Sequence, residues 1–129
     1  MKSYQLYINV KNSVEIKIGK LGSFRFPKGN YIYTGSARKN IDSRIARHRN
    51  KSTDKKLHWH IDFLLNNENA KITKVEKSND AECILNQETN GDVIVDGFGS
   101  SDCKNGCRSH LKIIKNSALY YSDLKLRQL

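Results

Sequence analysis

Tyr33, Gly35, Arg44 and His48 fall in one short stretch, GNYIYTGSARKNIDSRIARH, over residues 29 to 48. A phenol and an imidazole can move a proton, and a guanidinium can grip two oxygens of a phosphoryl group with its planar fork. Arg44 is the informative residue. Ile41, Arg44, Ile45 and His48 recur at three- and four-residue steps, the period of one helix face, so the arginine sits within an apolar stripe. Inward charges are paired or functional. Arg44 therefore pairs with a structural carboxylate, snorkels at the edge of the core, or serves a site. The tyrosines have a plain alternative too, sheet packing with a hydrogen-bonded hydroxyl.

A second group is Cys103, Cys107 and His110, two thiols and an imidazole within eight residues. They could ligate one soft ion, and His58 or His60 would complete a tetrahedral structural zinc site. The spacing is not a common finger pattern, and small buried cysteines often just pack, so zinc ranks below packing here. Three cysteines, an odd number in a chain without an export signal, argue against a disulfide framework.

The elements that must position these residues follow from periodicity and turn chemistry. Residues 4–10 alternate as a strand, Asn12-Ser13 is a turn, and residues 14–18 alternate again, which together predicts a hairpin. Gly19 and Gly22 bracket a turn, Phe24 to Phe26 is a short strand, and Pro27-Lys28-Gly29 turns the chain into a strand through Tyr31 and Tyr33. A basic helix begins near Asn40, residues 50–56 form a loop, and residues 57–65 read as a second helix with Leu57, Ile61, Leu64 and Leu65 on one face. Residues 70–75 predict a strand, and residues 80–87 a helix capped by Ser78 or Asn79 and stopped near Gly91. Ile94-Val95 is a short extended piece, and residues 110–114 are a last strand. The fold class is α+β (α/β), a small, mainly antiparallel central sheet with helices packed on it.

At 129 residues the chain is read as one domain, residues 1–129. Its mean hydropathy of −0.68 and its lack of a long apolar run exclude a helical membrane span and predict a cytoplasmic protein. Lysine and arginine total 23 against 13 acids, a net charge of +10, which points to a polyanionic partner. Residues 38–56 hold eight basic residues against Asp42 and Asp54. Unbalanced charge of one sign beside the glycine turn fits phosphate contacts better than a merely solvated face.

Tyr33-Thr34-Gly35 followed by Arg44 resembles the second half of the GIY-YIG nuclease signature, and Lys2-Ser3-Tyr4 resembles the first half, with Lys2 where the family usually has glycine. The chain is most similar to the Uri-type endonuclease-like branch, through residues 31–37, 44–48, 58–62 and 97–103. The resemblance implies a GIY-YIG-like fold in which the strands of Tyr4 and Tyr33 lie side by side. It implies catalytic roles for Tyr4, Tyr33, Arg44 and His48, and a Mg2+ or Mn2+ ion held by Glu82 on the late helix. Glu88 is the second choice for that ion, and a solvated surface glutamate is the plain alternative. The other reading of the cysteine group, set against zinc, is that Asp102, Cys103 and His110 border the nuclease cleft. Gly35, Lys39, Arg47, Arg49 and Lys51 form the expected nucleic-acid-binding set.

The function expected from these features is metal-dependent hydrolysis of phosphodiester bonds in DNA, in repair or restriction-like processing. A non-catalytic nucleic-acid-binding module on the same scaffold is the alternative. A metal or thiol sensor built on Cys103, Cys107 and His110 is a third reading. DNA rather than RNA comes from the resemblance alone, because basic charge reports phosphates and not sugars.

Overall fold

The computed structural model describes residues 2–50, 57, 59–100, 103 and 106–114. Seven strands and three α-helices occur among them: β1 (Ser3–Val10), β2 (Val14–Ile18), β3 (Gly22–Phe26), β4 (Gly29–Ser36), α1 (Ile41–Arg49), α2 (His60–Leu65), β5 (Ala70–Ser78), α3 (Glu82–Glu88), β6 (Asp92–Val93) and β7 (Leu111–Ile113). Five strands form an antiparallel sheet in the order β5-β1-β4-β7-β6, and the helices pack on it. The expected α+β class is the observed one.

The predicted β1–β2 hairpin does not form. β1 pairs with β4 on one side and β5 on the other, so both of its edges are filled, and β2 pairs with β3 in a separate two-stranded sheet. The burial pattern explains the choice. Six of the eight residues of β1 are buried, as suits a strand between two others, whereas β2 exposes Glu15 and Lys17 and buries only Ile16 and Ile18. The β2–β3 hairpin and α2 then cover the core, where Phe26 meets Tyr31 and Phe98, and Phe98 meets Tyr33. Despite 29 residues of separation, the two tyrosine strands are therefore neighbours, with Tyr4 opposite Gly35 and Leu6 opposite Tyr33.

Other boundaries shift for local reasons. α2 begins at His60 rather than at residue 57, because the Asp62 carboxylate accepts the Trp59 backbone N–H and closes the helix start there. The expected Ser78 or Asn79 cap of α3 is not used. Ser78 still belongs to β5, its hydroxyl accepts from the Asp80 backbone N–H, and Ala81 occupies the cap position. The extended piece expected at Ile94-Val95 lies two residues earlier, at Asp92–Val93, where it pairs with β7. No helix among the described residues is long and apolar enough to cross a membrane.

Candidate functional site

β1 and β4 carry Tyr4 and Tyr33 to one end of the sheet, and α1 starts just beyond β4. The Asn40 side chain accepts from the Ser43 backbone N–H, an N-cap that fixes where the helix begins. This places Arg44 and His48 against the same end. A cleft of about 410 Å³ is lined there by Tyr4, Tyr33, Arg44, His48 and Glu82, with Ser36 and Trp59 among its other walls. Four catalytic residues and one metal ligand expected from sequence thus share one concavity.

The Tyr4 hydroxyl lies 2.7 Å from Nε2 of the buried His48. Burial raises the Tyr4 pKa above the usual phenol value, with the Arg44 charge and hydrogen bond opposing that rise, so the phenol is neutral near neutral pH. Burial likewise raises Tyr33, whose ring stands edge-on to His48 at 6.3 Å between centroids. Arg44 donates to the Ser36 carbonyl at 3.1 Å and sits 4.3 Å above the Trp59 ring. One fixed donor and a π face hold the guanidinium at the rim.

Gly35 contributes space. A Cβ there would come 2.6 Å from the Tyr4 oxygen and 2.7 Å from its ring carbon, so only glycine lets the tyrosine fold across β4.

Glu82 opens α3. Burial works to raise its pKa, but hydrogen bonds from His110 and Ser36, with the charges of His110 and Arg44, prevail and hold it below the usual carboxylate range. Its Oε2 is 3.2 Å from Nδ1 of His110. Glu88, the second choice, is exposed and does not line this cleft.

The basic residues divide. Lys39, Arg38 and Arg44 line an adjoining concavity of about 470 Å³ that shares Ser36 and Arg44 with the first. Arg49 is exposed at the end of α1. Arg47 differs: its Nη2 donates to Asp62 Oδ2 at 2.9 Å, and that carboxylate is fully buried. Lys51, His58 and Asp102 lie outside the described residues.

Beside the cleft, Cys83, Cys103, Cys107 and His110 bring their ligand atoms within 4.8 Å of one another. This Cys3His group could hold a metal ion, and its three sulfurs suit zinc rather than magnesium or manganese. The fourth member is Cys83, from α3, and not His60, whose Nδ1 accepts the Gly99 backbone N–H at 2.9 Å. Burial alone would lower the His110 pKa, but hydrogen bonds with Glu82 and Cys103, the Glu82 charge and a further bond with Cys107 push it up to about 9.

Sequence reasoning missed Cys83, Ser36 and Trp59 as members of the two sites, and Asp62 as the residue that holds Arg47. Cys83 carried a signal of its own, since the chain has three cysteines and all of them belong to the group, while Ser36 and Trp59 lie in segments that carry the family resemblance. No match was found among curated proteins or among solved structures. One family model matches residues 3–126, nearly the whole length, and by that match the chain belongs to the family described as Domain of unknown function DUF123.

Proposed function

We propose that the chain hydrolyses phosphodiester bonds in DNA as a GIY-YIG-type nuclease of the Uri branch, with its active centre in the Tyr4–Arg44 cleft. The observation that carries this reading is the convergence of Tyr4, Tyr33, Arg44, His48 and Glu82 on one concavity. The adjoining cation-lined concavity supports it, since it offers a track for neighbouring phosphates.

In this reading Tyr4 and His48 form a proton relay. The Tyr4 oxygen takes a proton from the attacking water as its own proton passes to Nε2 of His48, which lies within hydrogen-bond reach. The hydroxide oxygen then bonds to phosphorus, the ester P–O bond breaks, and the leaving oxygen takes its proton from solvent water. Arg44 keeps donors beyond the one on the Ser36 carbonyl, and they stabilise the charge that grows on the phosphoryl oxygens.

Glu82 fits a hard divalent cation. Its carboxylate is held ionised, and His110 faces only one of its two oxygens, leaving lone pairs for an ion whose other positions water would fill. Mg2+ or Mn2+ bound there would supply charge neutralisation at the phosphate.

Incubating the purified protein with labelled single-stranded, duplex and branched DNA, with and without Mg2+ or Mn2+, tests the reading. Arg44→Ala should lower turnover about a hundredfold while largely sparing binding. Binding without cleavage of any substrate would leave the alternative, a non-catalytic nucleic-acid-binding module. One observation favours that alternative: the Glu82 carboxylate is already engaged by His110, whose Nδ1 lies 3.2 Å from Oε2.

A further inference from the structure

We infer that Cys83, Cys103, Cys107 and His110 bind one zinc ion in a closed structural site, and that Glu82 is the outer partner which orients the His110 ring. The inference stands on the cysteine cluster and does not depend on nuclease activity.

The four ligand atoms come from three separate parts of the chain: the first turn of α3, the loop that follows β6, and the residue that enters β7. Side chains that only pack have no reason to bring every cysteine sulfur in the chain together with an imidazole nitrogen inside 4.8 Å. Cys83 and Cys103 lie 3.1 Å apart, and Cys83 Sγ is 4.0 Å from Nε2 of His110. Zinc held at its usual thiolate and imidazole distances, about 2.3 and 2.0 Å, fits between atoms so grouped after small side-chain adjustments. With four protein donors no position stays open for water, so the ion is structural and not catalytic.

The outer contacts are those a metal site uses. His110 turns Nε2 toward the sulfurs and places Nδ1 3.2 Å from the Glu82 carboxylate, the carboxylate–histidine arrangement that fixes ring orientation and ligand basicity. Gln87 donates to Cys107 Sγ at 3.7 Å. The Asn86 side chain donates to the Ser109 carbonyl at 2.8 Å, pinning α3 to the residue before His110. Zinc would therefore staple α3 to the loop after β6. Because Glu82 also borders the cleft, the staple holds a wall of the candidate active site.

The test is zinc content and cobalt spectroscopy on the full chain, purified without a metal-binding tag from zinc-supplemented medium. The expected result is one zinc per chain, and, after exchange for Co2+, the visible spectrum of a tetrahedral ion with three thiolates. Cys107→Ser should lose zinc or, if it folds poorly, the wild-type cobalt spectrum decides the ligand set by itself. Glu82→Ala should keep the tetrahedral spectrum and weaken zinc affinity about 10- to 100-fold, measured by competition with a chromophoric chelator and read without reference to cleavage. Substoichiometric zinc with three freely titrating thiols overturns the inference. So does a Cys83–Cys103 disulfide without metal, or a cobalt spectrum lacking thiolate bands. Unchanged affinity in Glu82→Ala overturns the outer-partner role.

Discussion

The Tyr4 hydroxyl oxygen lies 2.7 Å from Nε2 of His48, joining the first strand to the last turn of α1 across 44 residues. With the phenol neutral, its O–H proton is available to the imidazole nitrogen. Tyr4→Phe keeps the ring and removes only this link. Single-turnover cleavage should fall about a hundredfold, the scale of losing a proton-transfer group. Stability should fall by about 1 kcal/mol, the net worth of one hydrogen bond. Cleavage at the wild-type rate would remove Tyr4 from the relay.

Gly35→Ala should destabilise the domain by about 1–3 kcal/mol, as overpacking does, because the added methyl meets the Tyr4 oxygen at 2.6 Å and a Tyr33 ring carbon at 3.0 Å. Both rings are buried and have little room to retreat. A urea midpoint equal to wild type would mean that Tyr4 does not cross β4 at this point. Gly35→Ala should cost less in a Tyr4→Ala background than in the wild type.

Arg47 and the exposed cations should separate by phenotype. Arg47→Ala removes an ion pair to the fully buried Asp62 carboxylate, which should lower stability by about 3 kcal/mol in denaturant titration. Lys39→Ala with Arg49→Ala should leave stability nearly unchanged and flatten the salt dependence of DNA affinity by about one unit of slope per lost phosphate contact. The opposite assignment, a stable Arg47→Ala with a flattened slope, would make Arg47 the phosphate ligand.

Alkali should unfold this domain through its tyrosines. Tyr4, Tyr31 and Tyr33 are each raised, by burial first, above the unfolded phenol value of about 10. A group raised in the fold contributes stability that is complete below its unfolded pKa and lost as pH climbs toward the folded one. Stability should therefore hold up to about pH 10 and decline above it. Phenolate absorbance should show these three residues ionising together with loss of helical circular dichroism. Ionisation near pH 10 with the fold intact would contradict their burial.

Local order was readable in the sequence. The alternation through Tyr31 and Tyr33, the Pro27–Gly29 turn, the strand around Phe24 and the helix opened by Asn40 all depend on residues within a few positions of one another, and each forms as expected. The stripe of Ile41, Arg44, Ile45 and His48 likewise predicted which face of α1 turns inward, and it buries Ile45 and His48.

What tertiary structure decided was pairing. Turn chemistry at Asn12-Ser13 promoted a β1–β2 hairpin, but strand partners depend on which edges distant segments fill, and β4 and β5 take both edges of β1. The same reason hid Cys83 from the cysteine cluster, 20 residues away from Cys103, and hid the hold of Asp62 on Arg47. Sequence by itself determined the residue types and local periods that make phosphate chemistry plausible. Only the tertiary structure decided that Tyr4, Arg44, His48 and Glu82 share a cleft, because that convergence rests on long-range strand order and on side chains meeting across 44 residues.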